Sequence, residues 1–72
     1  MRIVFSDHAI ERMNFREITE LQVFATIKSP HEKEVSYRDR VIYKRKFDNR
    51  TLEVVTKLED KNMIIISAYM VK

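Results

Sequence analysis

The chain changes its hydrophobic period once. From Ser6 to Lys28 apolar residues recur at intervals of three and four, and from about Glu32 they alternate with polar ones, so helices are expected first and strands afterwards. A short strand, Arg2 to Phe5, carries β-branched Ile3 and Val4 and leads into the first helix. Ser6 or Asp7 serves there as N-cap, acidic Asp7 and Glu11 suit the positive end of the dipole, and Asn14 is a plausible stop. Thr19-Glu20-Leu21-Gln22 then has the form of a capping box, with Ile18 placed to contact Val23 as a hydrophobic staple. The second helix runs to about Lys28 on a buried stripe of Leu21, Val23, Phe24 and Ile27, and Pro30 ends it.

In the second half, Val35 and Tyr37 suggest a short edge strand. Val41, Tyr43, Arg45 and Phe47 alternate with Ile42, Lys44, Lys46 and Asp48 on the next one. Asp48-Asn49-Arg50 is a tight turn, Thr51 to Leu58 a further strand, and Glu59-Asp60-Lys61-Asn62 a second turn. The last strand, Met63 to Val71, is apolar on both faces, the pattern of a strand covered on both sides or used in association. The expected fold is α+β: two N-terminal helices packed on one face of a three- to four-stranded antiparallel sheet, in a single domain spanning residues 1–72.

Three places on this framework carry chemistry. A rotation of about 100° per residue puts His8 and Arg12 on one side of the first helix, with Ala9, Ile10 and Met13 opposite and facing the core. An imidazole beside a permanent guanidinium can handle a phosphate, the arginine holding charge and the histidine moving a proton. On the strand face of Val41, Tyr43 and Phe47, Arg45 needs a partner or an opening, which singles it out from Lys44 and Lys46. Ser67 and Tyr69 share a face with Met63, Ile65 and Val71, so a tyrosine hydroxyl emerges near the end of the sheet. His31, following Pro30, reads as a surface residue.

Composition narrows the chemistry. The 72 residues have room for one small core, and 44% apolar content is enough to fold it. Without cysteine there is no disulfide, no thiolate nucleophile and no Cys-type zinc site, and two histidines far apart do not make a metal centre. Without glycine there is no glycine-rich phosphate loop or dinucleotide fingerprint. No cofactor or metal is expected. The N-terminus lacks the apolar core of a signal peptide and Met63–Val71 is too short to span a bilayer as a helix, so a soluble, cytoplasmic protein is expected.

The formal charge is +3, unevenly placed. Arg38, Arg40, Lys44, Arg45, Lys46 and Arg50 stand against Asp39 and Asp48, giving +4 in that segment and −1 elsewhere. Such a concentration suits a nucleic-acid partner, since each neutralised phosphate releases counterions, and equally suits a solvated sheet edge guarded against aggregation.

The combination His8-Ala9-x-x-Arg12-Met13-x-x-Arg16-x-Ile18, a helix ending near Pro30, Leu52-x-Val54-Val55 and Ile65-Ile66-Ser67-Ala68-Tyr69 resembles a family of small prokaryotic and phage domains. That family is grouped with the RelE- and BrnT-like toxins, in the barnase–EndoU–colicin–RelE superfamily of metal-independent ribonucleases. The resemblance implies RNA cleavage by attack of the ribose 2′-hydroxyl on the adjacent phosphate, which requires a base, an acid and cations for the growing charge. His8 would be the base or acid, Arg12 and Arg45 the phosphate stabilisers, and Tyr69 a donor or stacking platform. Arg16, with Arg38, Arg40, Lys44, Lys46 and Arg50, would widen the nucleic-acid surface. Only His8, Arg12, Arg16, Ser67 and Tyr69 lie on the family's motif; Arg45 follows from strand alternation. Expected partners are RNA, on the ribosome or free, an antitoxin protein, and a second copy of the chain. The alternative is a non-catalytic RNA-binding or protein-interaction module on the same fold.

Overall fold

A computed structural model describes residues 2–72. The chain runs β1 (Arg2–Phe5), α1 (Asp7–Arg16), α2 (Glu20–Lys28), β2 (Glu32–Val35), a short turn (Tyr37–Asp39), β3 (Arg40–Phe47), β4 (Arg50–Glu59) and β5 (Asn62–Val71). The strands form one sheet in the order β1-β5-β4-β3-β2. β2 to β5 are antiparallel neighbours, whereas β1 lies parallel to β5, Ile3 beside Met63 and Phe5 beside Ile65.

The α+β class stands, but the expected three- to four-stranded antiparallel sheet is corrected to five strands of mixed direction. Alternation reports which face a side chain takes and not which strand lies alongside. The long return through α1, α2 and the meander brings the last strand back beside the first. At the other edge, β2 is Glu32–Val35, and Tyr37 belongs to the turn that follows it.

The helix ends are built by short side chains. Ser6 caps α1, its hydroxyl accepting from the Ala9 N–H at 3.0 Å. The helix runs past the expected stop at Asn14 to Arg16 and ends where Glu17 adopts the left-handed conformation (φ 57°) and returns its N–H to the Asn14 carbonyl. At α2 the capping box is complete: the Thr19 hydroxyl accepts from the Gln22 N–H at 3.1 Å, and the Gln22 side chain accepts from the Thr19 N–H at 2.9 Å. Ile18, the staple residue, is buried.

Both helices cover one face of the sheet, α1 over β5 and α2 over β4 and β3. Ala9, Met13, Ile18 and Val23 meet Leu52, Val54, Met63, Ile65 and Ala68 in the core. Three residues of the expected helical stripes are exposed instead: Leu21 at 80%, Ile10 at 45% and Phe24 at 38%. α2 docks through Val23, Thr26 and partly buried Ile27, and the Thr26 hydroxyl donates to the Gln22 carbonyl at 2.8 Å, which lets a polar residue sit in the core. Phe24 lies at the rim, edge-on to Phe5 with ring centres 5.7 Å apart.

A bulge in β5 decides where Tyr69 points. Thr56 pairs with Ile65 but Val55 pairs with Ser67, so Ile66 is the extra residue. Met63 and Ile65 therefore face the helices, whereas Ser67 and Tyr69 stand beside Val55 and Glu53 on the opposite, uncovered face. The shared face expected for Met63, Ile65, Ser67 and Tyr69 is thereby corrected: one inserted residue inverts the alternation beyond it.

Candidate functional site

His8, Arg12 and Arg16 recur at four-residue spacing along the solvent side of α1, and all three are exposed. Buried Ala9 and Met13 fix the orientation of that side by anchoring the other. Among the described residues, the ion pairs within 4 Å are Lys44 with Glu34 and Lys57 with Glu59, so none engages His8, Arg12 or Arg16. Arg16 also reaches the sheet: its guanidinium donates to the Ala68 carbonyl at 3.0 Å. β1 pairs only with Asn62–Ile65, so that carbonyl lies on the stretch of β5 beyond its parallel neighbour. The arginine thus occupies an acceptor on β5 at a level that the short β1 does not reach.

Arg45 lies on the helix-covered face, in register with buried Leu52. Its guanidinium donates to the Ser29 carbonyl at 2.9 Å, just past the end of α2, and lies 5.7 Å from the Phe47 ring centre. Its Nε is buried without a partner among the described residues. Arg45 therefore ties the C-terminus of α2 to β3. Tyr69 occupies the other face, its hydroxyl donating to the Glu53 carboxylate at 3.0 Å. Burial first, and then that carboxylate, hold the Tyr69 pKa above its ordinary value. The four side chains expected to act together are thus divided: His8 and Arg12 on α1, Arg45 beneath α2, Tyr69 across the sheet.

Strand alternation also divides the basic segment. Arg40, Lys44 and Lys46 share the open face, Arg45 and Arg50 take the helix-covered side, and Arg38 stands at the turn between β2 and β3. Lys44 is neutralised by Glu34 at 2.9 Å, and its pKa is raised chiefly by that hydrogen bond. Glu34 and Glu53 carry no local mark as partners of Lys44 and Tyr69, since cross-strand pairs depend on register. His31 is exposed as expected, and its Nδ1 accepts from the Lys46 N–H at 3.2 Å.

A cleft of about 480 Å³ opens between α1 and the link to α2, lined by Phe5, Ile10, Met13 and Ile18 with Glu17 and Glu20 at hand. Its apolar walls and two carboxylates do not suit a phosphate, and none of the basic candidates lines it. Among the described residues, no three His, Cys, Asp or Glu side chains gather as a metal-ligand set. Nor is any described helix long and apolar enough to cross a membrane.

No significant match appears among curated proteins or among solved structures. One family does match, over residues 5–70, which takes in both helices and the strands from β2 through most of β5. The chain therefore belongs to the family described as Domain of unknown function (DUF4258).

Proposed function

We propose that the protein acts on RNA through the exposed side of α1, as a metal-independent endoribonuclease of the RelE/BrnT-like type. His8 takes the proton from the 2′-hydroxyl as it attacks the phosphorus, and Arg12 and Arg16 neutralise the phosphate. The P–O5′ bond breaks with the 5′-oxygen taking a proton from solvent water, which leaves a 2′,3′-cyclic phosphate. The observation that carries this is the four-residue spacing of three exposed basic side chains on one helix side, none held by a carboxylate among the described residues. A guanidinium without an acidic partner keeps its donors for a phosphate, which it can meet with two parallel hydrogen bonds. Arg45 and Tyr69 are not needed by this surface. An antitoxin, on this reading, is an acidic segment laid over α1.

The test is cleavage of a mixed-sequence RNA in EDTA, with and without ribosomes, by wild type, His8→Ala and Arg12→Ala. Cyclic-phosphate ends that fall by roughly a hundred-fold or more with His8→Ala support proton transfer by that residue. Intact RNA under both conditions, from folded protein, removes the nuclease.

A second reading, a protein-interaction module, is favoured by a different observation. Val4, Ile42, Val55 and Ile64 lie on the sheet face opposite the helices and remain partly open to solvent. Sedimentation at several protein concentrations distinguishes the two: a stable dimer without cleavage supports the module.

A further inference from the structure

The α1 surface carries one exposed ring, Phe15, with no cation over its face among the described residues. An exposed ring that does have a cation over it stands on the turn between β2 and β3. Tyr37 is 71% exposed, whereas Tyr43 packs against the core and Tyr69 is held by Glu53. The turn is closed on both sides of it, with the Ser36 N–H donating to the Arg40 carbonyl at 2.6 Å and the Arg40 N–H donating to the Tyr37 carbonyl. The Arg38 guanidinium carbon lies 5.3 Å from the Tyr37 ring centre, a cation over one face of the ring.

Two features of this turn lack a purpose in the isolated fold. Arg38 and Asp39 are both left-handed (φ 61° and 59°). Asp tolerates that region; an arginine is strained there, and glycine or asparagine would hold the same turn more easily. Arg40 stands directly across from Lys57 on the open face, like charges in a cross-strand pair. Lys57 has Glu59 at 3.1 Å, but among the described residues no carboxylate lies within ion-pair distance of Arg40. A bound anion beside the ring would relieve the repulsion and give the strained arginine a role.

We propose that Tyr37 is a stacking platform for an unpaired base of single-stranded RNA, with Arg38 and the Arg40–Lys57 pair contacting the flanking phosphates. This subsite rests on the RNA-directed reading above and extends it to the opposite edge of the sheet. Aromatic stacking accepts any base, so the turn adds affinity for single strands without choosing a sequence.

The experiment is fluorescence anisotropy with a labelled 2′-O-methyl oligoadenylate of about eight nucleotides, a length suited to one small binding surface and resistant to 2′-hydroxyl attack. Tyr37→Ala is expected to bind about ten-fold more weakly or worse, with Tyr37→Phe close to wild type. The dependence of affinity on salt should be unchanged by Tyr37→Ala, because stacking releases no counterions. Arg38→Gly should raise the thermal midpoint by relieving the left-handed strain and yet weaken binding, lowering the salt slope by about 0.7. The chain has no tryptophan, so Tyr37→Trp is a single reporter whose emission should be quenched by the oligonucleotide. Wild-type affinity in Tyr37→Ala, or unquenched Tyr37→Trp under saturating oligonucleotide, overturns the platform. If Arg12→Ala still weakens binding in that case, the α1 reading stands. Absence of binding by wild type overturns the platform, and the α1 reading is then decided by the cleavage assay with and without ribosomes.

Discussion

On one side of β4, Leu52, Val54 and Thr56 are buried under the helices; on the other, Glu53, Val55 and Lys57 are each partly open. The covered side tolerates polarity only where it is tied off, as with the Thr56 hydroxyl donating to the Val41 carbonyl at 2.9 Å. The open side instead carries a polar row, the charged Glu32, Lys44 and Glu53 with the neutral phenol of Tyr69, alongside β-branched Ile42 and Val55. One strand thus serves two solvents. Position on the covered side is enforced by packing, and on the open side by mutual pairing of charges.

The sharpest test of that contrast is a pair of truncations on β4. Leu52→Ala should cost about 2–5 kcal/mol, since it leaves a cavity in the core. Val55→Ala should cost well under half as much in urea denaturation. Equal costs would show that the open face is covered in solution, and the contrast would fail. Next, Thr19→Ala should remove about 1 kcal/mol by breaking the capping box, and hydrogen exchange should quicken in α2 while β5 stays protected. Loss of protection across the whole sheet would mean that the helix layer and the sheet open as one unit.

The two outcomes also bear on what could be read from the sequence. The capping box, the hairpin turns and the alternation of β3 and β4 were legible because each is encoded within a few adjacent residues. The parallel pairing of β1 with β5 was not, since Ile3 and Met63 are brought together only by the complete path of the chain. The side taken by Tyr69 was hidden for a different reason: Ile66 looks like any other apolar strand residue, and nothing local marks it as the one inserted. His8, Arg12 and Arg16 were legible as a helix side, but Arg45 was visible only as an arginine needing a partner. That the partner is the Ser29 carbonyl depends on where α2 ends above the sheet.

A smaller effect is expected from Arg45→Met. It forfeits the hydrogen bond to Ser29 but also removes the unpartnered Nε, so the two changes oppose each other and the net should lie within about 1 kcal/mol of wild type. A much larger loss would show that the arginine fixes the position of α2.

The smallest effect belongs to the open face at high pH. Folding raises the Tyr69 pKa, so the folded chain retains that proton to a higher pH than the unfolded chain. The resulting contribution is complete below the unfolded value of about 10 and is lost as pH rises through the folded one. Lys44, raised by Glu34, acts in the same direction. Thermal midpoints should therefore fall above about pH 10, less steeply in Tyr69→Phe. An identical decline in that variant would assign the alkaline loss to other groups.

The parallel edge has a consequence for the order of events during synthesis. Residues 2–5 and α1 emerge first, yet their neighbours in the sheet are residues 62–65 and the rest of β5. The platform that orients His8 and Arg12 is thus completed only when nearly all of the 72 residues are available. If this surface cuts RNA, a nascent chain still threaded through the ribosome presents those residues on an undocked helix, and the activity is withheld until translation of the domain is over.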